Sequence, residues 1–384
     1  MRRVVLLLLT LFPLALSAAP PPAPSPADID AEAKRLMQAA HARGMAVAVI
    51  DKGKVVHVAA YGVRNAADEP LQTDTIMYAA SLTKMAFGHL LAQLAQEKAI
   101  DLDTGIAAYL DKPLPEYPAE KKYADYGPLA GDERWRTLTP RLLLNHSSGF
   151  ANFGFLEPDG KLRFHFDPGS RYAYSGEGLI LLQFVLERGQ RMDVGSLMQQ
   201  RVFDRFGMPR TSMMWREDFA GNLADGFTAD GRSEPHDERS RVRAAGSMDT
   251  TIADMGHFAA GYVRGEGLSK AMRREVVRPQ LPITTASQFP TLQPELPVAQ
   301  QRRDLAAGLG VVTFTGPQGP GFYKGGHDDA VGNTLVCVER GQRCVVILGN
   351  DVRAEAAFPA LVRFVLGETG VPWEWEYGKK EFVR

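Results

Sequence analysis

Tyr78-Ala79-Ala80-Ser81-Leu82-Thr83-Lys84-Met85-Ala86-Phe87 is the stretch on which the reading of this chain turns. Ser81 and Lys84 stand three positions apart, and nowhere else in the 384 residues does a lysine follow a serine at that spacing. Residues at i and i+3 share one face of a helix, so a helix opening at Ser81 presents both side chains together. The flanking residues are apolar, which argues against a solvated Lys84. A serine hydroxyl becomes a nucleophile only when a neighbour removes its proton. A lysine does this when neutral, and burial or a nearby cation drives it to that form. Free N–H groups and the positive end of the helix dipole favour negative charge developing at Ser81. Taken alone, the same residues also describe an N-cap serine followed by a surface lysine, and the spacing is common by chance.

Two further segments give the pair a context. Tyr174-Ser175-Gly176 lies in a turn leading into a helix, where a tyrosine can relay a proton between serine, lysine and leaving group. Its alternative is a packed aromatic with a hydrogen-bonded hydroxyl. Lys324-Gly325-Gly326 is the only place where a lysine is followed two residues later by glycine. A strand with this composition forms a cleft wall in which the lysine attracts a carboxylate and the glycines admit substrate backbone as an added strand. A glycine-rich hairpin turn is the competing reading.

Outward from these motifs, residues 45–50 and 55–61 read as strands joined by Asp51-Lys52-Gly53-Lys54, a hairpin. Residues 28–42 have helical spacing with Gly44 as a stop. Residues 81–99 are apolar nearly all round and predict a buried helix. Residues 139–144, 178–187 and 251–263 predict helices, the last capped by Asp249 or Thr250. Residues 308–314, 334–339 and 344–348 predict strands, and 354–366 a closing helix. Strands at both ends around a helical middle predict an α+β fold: one antiparallel sheet built from N- and C-terminal segments, helices on both faces and a mostly helical insertion. The expected organisation is an α/β sheet domain of residues 28–104 and 300–370, a helical subdomain of 105–299 with long loops at 112–137 and 277–300, and a tail, 371–384. The role of the two loops and of the tail, with Trp373 and Trp375, is open.

Composition narrows the function classes. The chain is 45% hydrophobic and 23% charged with a formal net charge of −1, as expected of a globular protein. It lacks the basic field that nucleic acid or an anionic membrane would require. Arg2 and Arg3, a short apolar run and Ser17-Ala18-Ala19 read as a signal peptide over 1–19, followed by a Pro-rich tether over 20–27. The run is too short to span a bilayer, so no stable membrane anchor is expected after signal removal, and the predicted location is periplasmic or secreted. Cys337 and Cys344 face each other if Arg340-Gly341 is a hairpin loop, and an oxidising compartment would permit a disulfide; two free buried thiols are the alternative. Two cysteines are no metal cluster. His236-Asp237-Glu238 reads as a solvated loop. No metal and no cofactor are expected. There is no Gly-x-Ser-x-Gly elbow and no His-Glu-x-x-His helix.

Together the three motifs resemble those of the serine β-lactamase and penicillin-binding-protein superfamily. Over residues 45–366 the chain resembles the class C β-lactamase family, which includes related esterases and D-amino-acid-specific peptidases. Leu142-Leu143-Leu144-Asn145-His146-Ser147-Ser148-Gly149, Phe206-Gly207-Met208 and Gly246-Ser247-Met248 add to the likeness. The resemblance implies a β-lactamase/transpeptidase-like fold and an acyl-enzyme on Ser81. Lys84 and Tyr174 would share the acid and base work, and Lys324 would supply positive potential. The N–H groups of Ser81 and His327 would form an oxyanion hole, with Gly325 and Gly326 beside the substrate. Two positions depart from the pattern: Gly176 stands where the family normally has Asn, and Gly325 where it often has Thr. Glu177 and Asp328-Asp329 are candidates for a substrate ammonium, against a helix-start carboxylate and a turn pair. The expected function is an exported serine hydrolase acting on a small-molecule or peptide ester, amide or β-lactam. A non-catalytic or slow binder of cell-wall peptides is the alternative. The sequence does not speak to oligomeric state.

Overall fold

Residues 45–50 alternate strictly between two environments: Ala46, Ala48 and Ile50 enter one hydrophobic core, and Met45, Val47 and Val49 enter another. A strand buried on both faces must carry apolar residues at every position, and it must lie between two layers of helix. The computed structural model, which describes residues 22–378 and 381–384, has this arrangement. The signal peptide over 1–19 and the start of the tether lie outside the described residues.

The main sheet contains eight antiparallel strands: β1 Gly44–Asp51, β2 Lys54–Gly62, β3 Leu281–Pro282, β4 Leu305–Ala307, β5 Val312–Gly316, β6 Gly319–His327, β7 Gly332–Val338 and β8 Arg343–Gly349. Their order is β2-β1-β8-β7-β6-β5-β4-β3. The N-terminal hairpin therefore joins the C-terminal strands through β1 and β8, with Met45 opposite Gly349 and Ile50 opposite Cys344. The edge strand β3 comes from within the 105–299 stretch, so the sheet draws on the middle of the chain as well as its two ends.

Helix α1, Pro26–Ala39, begins two residues earlier than expected because the Ser25 hydroxyl accepts from the Asp28 N–H and Pro26 suits the first turn. Two residues of the proposed tether are thus helical. Gly44 does not stop this helix but opens β1; the chain leaves α1 through His41 at φ +54°. Helix α2, Leu82–Gln96, is buried without a break from Leu82 to Leu94. Each fully buried leucine in it contributes roughly 1.5–3 kcal/mol through burial. Helix α3, Gly176–Phe184, is capped by Ser175 and continues into a wider turn, Val185–Gly189. Helix α4, Ile252–Arg264, packs on β1 and β8. Its cap is Thr251, whose hydroxyl accepts from the Asp254 N–H, not Asp249 or Thr250, which pair as a short strand with Met77 and Tyr78. Helix α5, Phe358–Leu366, and α6, Trp373–Tyr377, contribute to the core that α1 shares on the opposite face.

Cys337 and Cys344 are paired in register on β7 and β8 and form a disulfide. The connection is the four residues 339–342 rather than Arg340-Gly341 alone, but it is centred on that dipeptide, so the cysteines still meet. Among the described residues no helix is long and apolar enough to cross a membrane.

Candidate active site

At the start of α2 the backbone departs from ordinary geometry. Ala80 has φ +47°, an uncommon conformation for a residue with a side chain. Ser81 makes no side-chain capping bond to its helix, which removes the N-cap reading. Its Oγ instead accepts hydrogen bonds from Lys84 Nζ at 2.8 Å and from the Tyr174 hydroxyl at 2.7 Å. The floor beneath is the 245–248 segment. Lys84 also donates to the Ala245 carbonyl, the Tyr78 hydroxyl donates to Gly246 O at 2.7 Å, and Met248 N–H donates to Thr83 Oγ1.

Tyr174 is held from behind. The His146 ring lies 4.5 Å from its ring, centroid to centroid, and Ala173 N–H donates to the His146 carbonyl. Ser175 caps α3 and donates its hydroxyl to Ala151 O. Lys84 and Lys324 lie over the Tyr174 ring, each Nζ 5.0 Å from its centroid.

Burial dominates the electrostatics. It drives Lys84 well below the usual lysine range, and the charge of Lys324 pushes the same way, while Glu376 pulls back upward. Lys324 is lowered by burial and partly restored by Glu376. Tyr174 is pushed up by burial, offset in part by its bond to Ser81. His146 is held well below its ordinary value by burial and then by the two lysines. The site thus favours a neutral lysine, a protonated tyrosine and a neutral histidine. That set can take a proton from Ser81 and pass one onward.

Lys324, Gly325, Gly326 and His327 form the end of β6, beyond the last pairing with β5, Tyr323 opposite Val312. The segment is a strand, not a hairpin turn. Lys324 donates to the Gly325 carbonyl at 2.7 Å. A Cβ on Gly326 would lie 3.0 Å from Ser81 N and 2.9 Å from Leu82 N, so only glycine lets this strand meet the start of α2. His327 is turned to the opposite face of the sheet, with Nδ1 3.0 Å from Glu355 Oε1, while still bordering the cleft.

Not every expected residue reaches the cleft. Glu177 is buried, with Oε2 accepting from the Gly154 N–H at 2.9 Å, and it lines a neighbouring cavity behind Phe153. It does not line the cleft that holds Ser81. Asp328 borders the cleft, but its Oδ1 accepts the N–H groups of Ala330 and Val331 in a turn, and Asp329 is exposed. At Gly176 a Cβ would sit 2.6 Å from the Phe153 ring. Asn152 Oδ1 accepts the Gly176 N–H at 2.9 Å, bringing a side-chain amide to the cleft from the adjacent loop.

The cleft encloses about 240 Å³, below the roughly 300–1,000 Å³ usual for drug-sized ligands. Sequence reasoning missed Asn152, Phe153, Arg243, Gln288, Phe289 and Glu376 in its lining. None stands in a motif. Gln288 and Phe289 belong to the 277–300 loop, which therefore does narrow the cleft, and Glu376 to the tail.

A sheet assembled mainly from both chain ends, covered on both faces, with a helix that opens at its serine against β6, defines the β-lactamase/transpeptidase fold. A family model described as Beta-lactamase matches residues 29–366, and the chain belongs to that family. The family comprises serine hydrolases that work through an acyl-enzyme. The chain is 28% identical over 181 residues to a lovastatin esterase of Penicillium rubens, covering 41% of this chain and 45% of that protein. It is 23% identical over 269 residues to penicillin-binding protein 4* of Bacillus subtilis, covering 61% of this chain and 55% of that protein. The chain thus spans about half the length of these relatives. Its fold is similar to that of the D-alanine carboxypeptidase AmpC from Burkholderia cenocepacia, with a TM-score of 0.68 and 19% identity over 88% of this chain and 98% of that one.

Proposed function

We propose that this protein is a serine hydrolase that forms an acyl-enzyme on Ser81 and cleaves a small carboxylic ester or amide. The observation that carries the reading is that Ser81 Oγ lies within hydrogen-bond distance of both Lys84 Nζ, at 2.8 Å, and the Tyr174 hydroxyl, at 2.7 Å, so a proton can pass between them. Neutral Lys84 takes the Ser81 proton as Oγ bonds to the acyl carbon and the carbonyl electron pair moves onto oxygen. The backbone N–H groups of Ser81 and His327 receive that oxyanion, at a gain of a few kcal/mol. When the tetrahedral species collapses, the bond to the leaving group breaks and its oxygen or nitrogen takes a proton delivered through Tyr174 from Lys84. Water then attacks the ester of Ser81, the same pair accepts its proton and returns it to Ser81 Oγ as the acyl carbon–oxygen bond breaks, and the acid and free serine are released. Lys324 supplies positive potential beside Tyr174, and Gly325 and Gly326 border the bound acyl group.

The ring of Phe153 at Gly176 excludes an Asn from that position, so an acylamino group would find only the Asn152 amide of the adjacent loop, whose oxygen already accepts the Gly176 N–H, and this favours an ester over a β-lactam. The likeness to the lovastatin esterase, which by its name acts on an ester, agrees with it. Residues 28–104 and 300–370 supply the nucleophile and Lys324, and the 105–299 subdomain brings Tyr174 over them. Export through residues 1–19 to the periplasm or beyond would suit the Cys337–Cys344 disulfide.

Intact mass spectrometry after exposure to a fluorophosphonate, and separately to a penicillin, tests the assignment. The expected result is one fluorophosphonate adduct on the wild type, none on Ser81→Ala, and no lasting penicilloyl adduct. Absence of both adducts on the folded wild type would favour a non-catalytic binder of cell-wall peptides. A persistent penicilloyl adduct would instead favour a penicillin-binding protein.

A further inference from the structure

The end of the chain supplies a carboxylate to this cleft. Glu376, on α6, is 2% exposed and lines the same cavity as Ser81 and Lys324. Its Oε1 accepts from Gln288 Nε2 at 3.0 Å, and the buried Tyr323 hydroxyl lies beside the carboxylate. A Cβ placed on Gly325 would lie 2.0 Å from Oε1. The carboxylate therefore occupies the volume that any side chain following Lys324 would need. Lys324 spends a hydrogen bond on the Gly325 carbonyl, and Glu376 acts on it through space.

We propose that Glu376 is a specificity-determining residue that makes the Lys324 side of the cleft accept an uncharged hydrogen-bond donor and reject a carboxylate. The inference rests on the acyl-enzyme reading of Ser81. Two charges meet at this wall, and the anionic one offsets the lysine that would otherwise draw in an anion. Asp328 adds a second carboxylate at the rim. A substrate carboxylate entering here would approach a buried oxygen of like charge in a medium of low polarity, where repulsion is strong. A neutral N–H or O–H placed beside Gly325 would meet the Glu376 side of the wall without that repulsion. The substrate class that fits is a small ester carrying a neutral amide or hydroxyl beside Gly325.

Two isosteric ester pairs test this with the full chain. One pair is phenyl succinamate and phenyl hydrogen succinate, which differ on the acyl side. The other is 3-carbamoylphenyl acetate and 3-carboxyphenyl acetate, which differ on the alcohol side. The wild type should favour the carboxamide in at least one pair by about tenfold or more in kcat/KM, and Glu376→Gln should reduce that preference toward unity. Glu376→Ala serves where Glu376→Gln is poorly folded. Equal or better use of the carboxylates in both pairs by the wild type would overturn the inference, as would an unchanged preference in a folded variant. Fluorophosphonate labelling run in parallel separates the two claims. A wild type that is not labelled loses the hydrolase reading itself, whereas normal labelling with an unchanged ratio removes only the role of Glu376.

Discussion

The two walls of the cleft hold chemically identical groups in different ways. On the helix wall, Lys84 is buried and donates to Ser81, three residues away on the same turn. On the strand wall, Lys324 is equally buried and equally close to the Tyr174 ring, yet it donates to its neighbour's carbonyl and answers to Glu376 from the chain terminus. Burial lowers both lysines, so burial alone does not make a base. What separates them is contact: one touches the hydroxyl to be activated, and the other touches the surface on which a substrate would lie.

The comparison can be broken at several points. Ser81→Ala should lower ester turnover by roughly 10⁴-fold or more, because the rest of the site has nothing to acylate. Steady-state kinetics on an aryl acetate measures this, and a loss under tenfold would show that the hydroxyl is not the nucleophile. Replacing the lysines by methionine should then divide the walls. Lys84→Met should cost on the order of 10²–10⁴-fold in kcat through loss of the base. Lys324→Met should act more on KM. Equal losses in kcat would mean that the two lysines share one role.

Smaller effects probe the strand wall. Gly325→Thr should destabilise by about 1–3 kcal/mol, since the threonine would overlap the Glu376 carboxylate. Adding Glu376→Ala should recover much of that loss, read as a return of the urea midpoint. No recovery would mean that the clash is elsewhere. The smallest effect concerns pH. Only neutral Lys84 can act as base, so activity should fall as pH drops through its lowered pKa. Glu376 favours the charged lysine, whereas Lys324 and the burial that also keeps His146 neutral oppose it. Glu376→Gln should therefore move the acid limb of kcat/KM to lower pH, by up to about one unit. A shift to higher pH would contradict the charge assigned to Glu376.

Much of this molecule is written in short-range pattern. The hairpin of residues 44–62, the buried helix after Ser81, the turn into a helix after Tyr174 and the facing cysteines depend on neighbours within a few turns of chain, and local spacing specifies them. The misreadings have local causes too. Gly44 looked like a helix stop, but a left-handed His41 ends the helix first. Thr250 looked like a cap, but its backbone pairs with Met77, leaving the cap to Thr251. Glu177, a candidate for the cleft, instead lines the neighbouring cavity and accepts from the Gly154 N–H.

By itself, then, the sequence determined that Ser81 and Lys84 share a helix face, that Tyr174 precedes a helix start and that Lys324 is followed by residues without side chains. Periodicity and steric size are local properties, readable without a fold. Only the tertiary structure decided what fills the space those glycines leave. Phe153 occupies the volume beside Gly176, and Glu376 that beside Gly325. Glu376 comes from a helix far along the chain that no motif connects to Lys324. A missing side chain marks a close approach, and the identity of the approaching group is fixed by packing between segments distant in sequence.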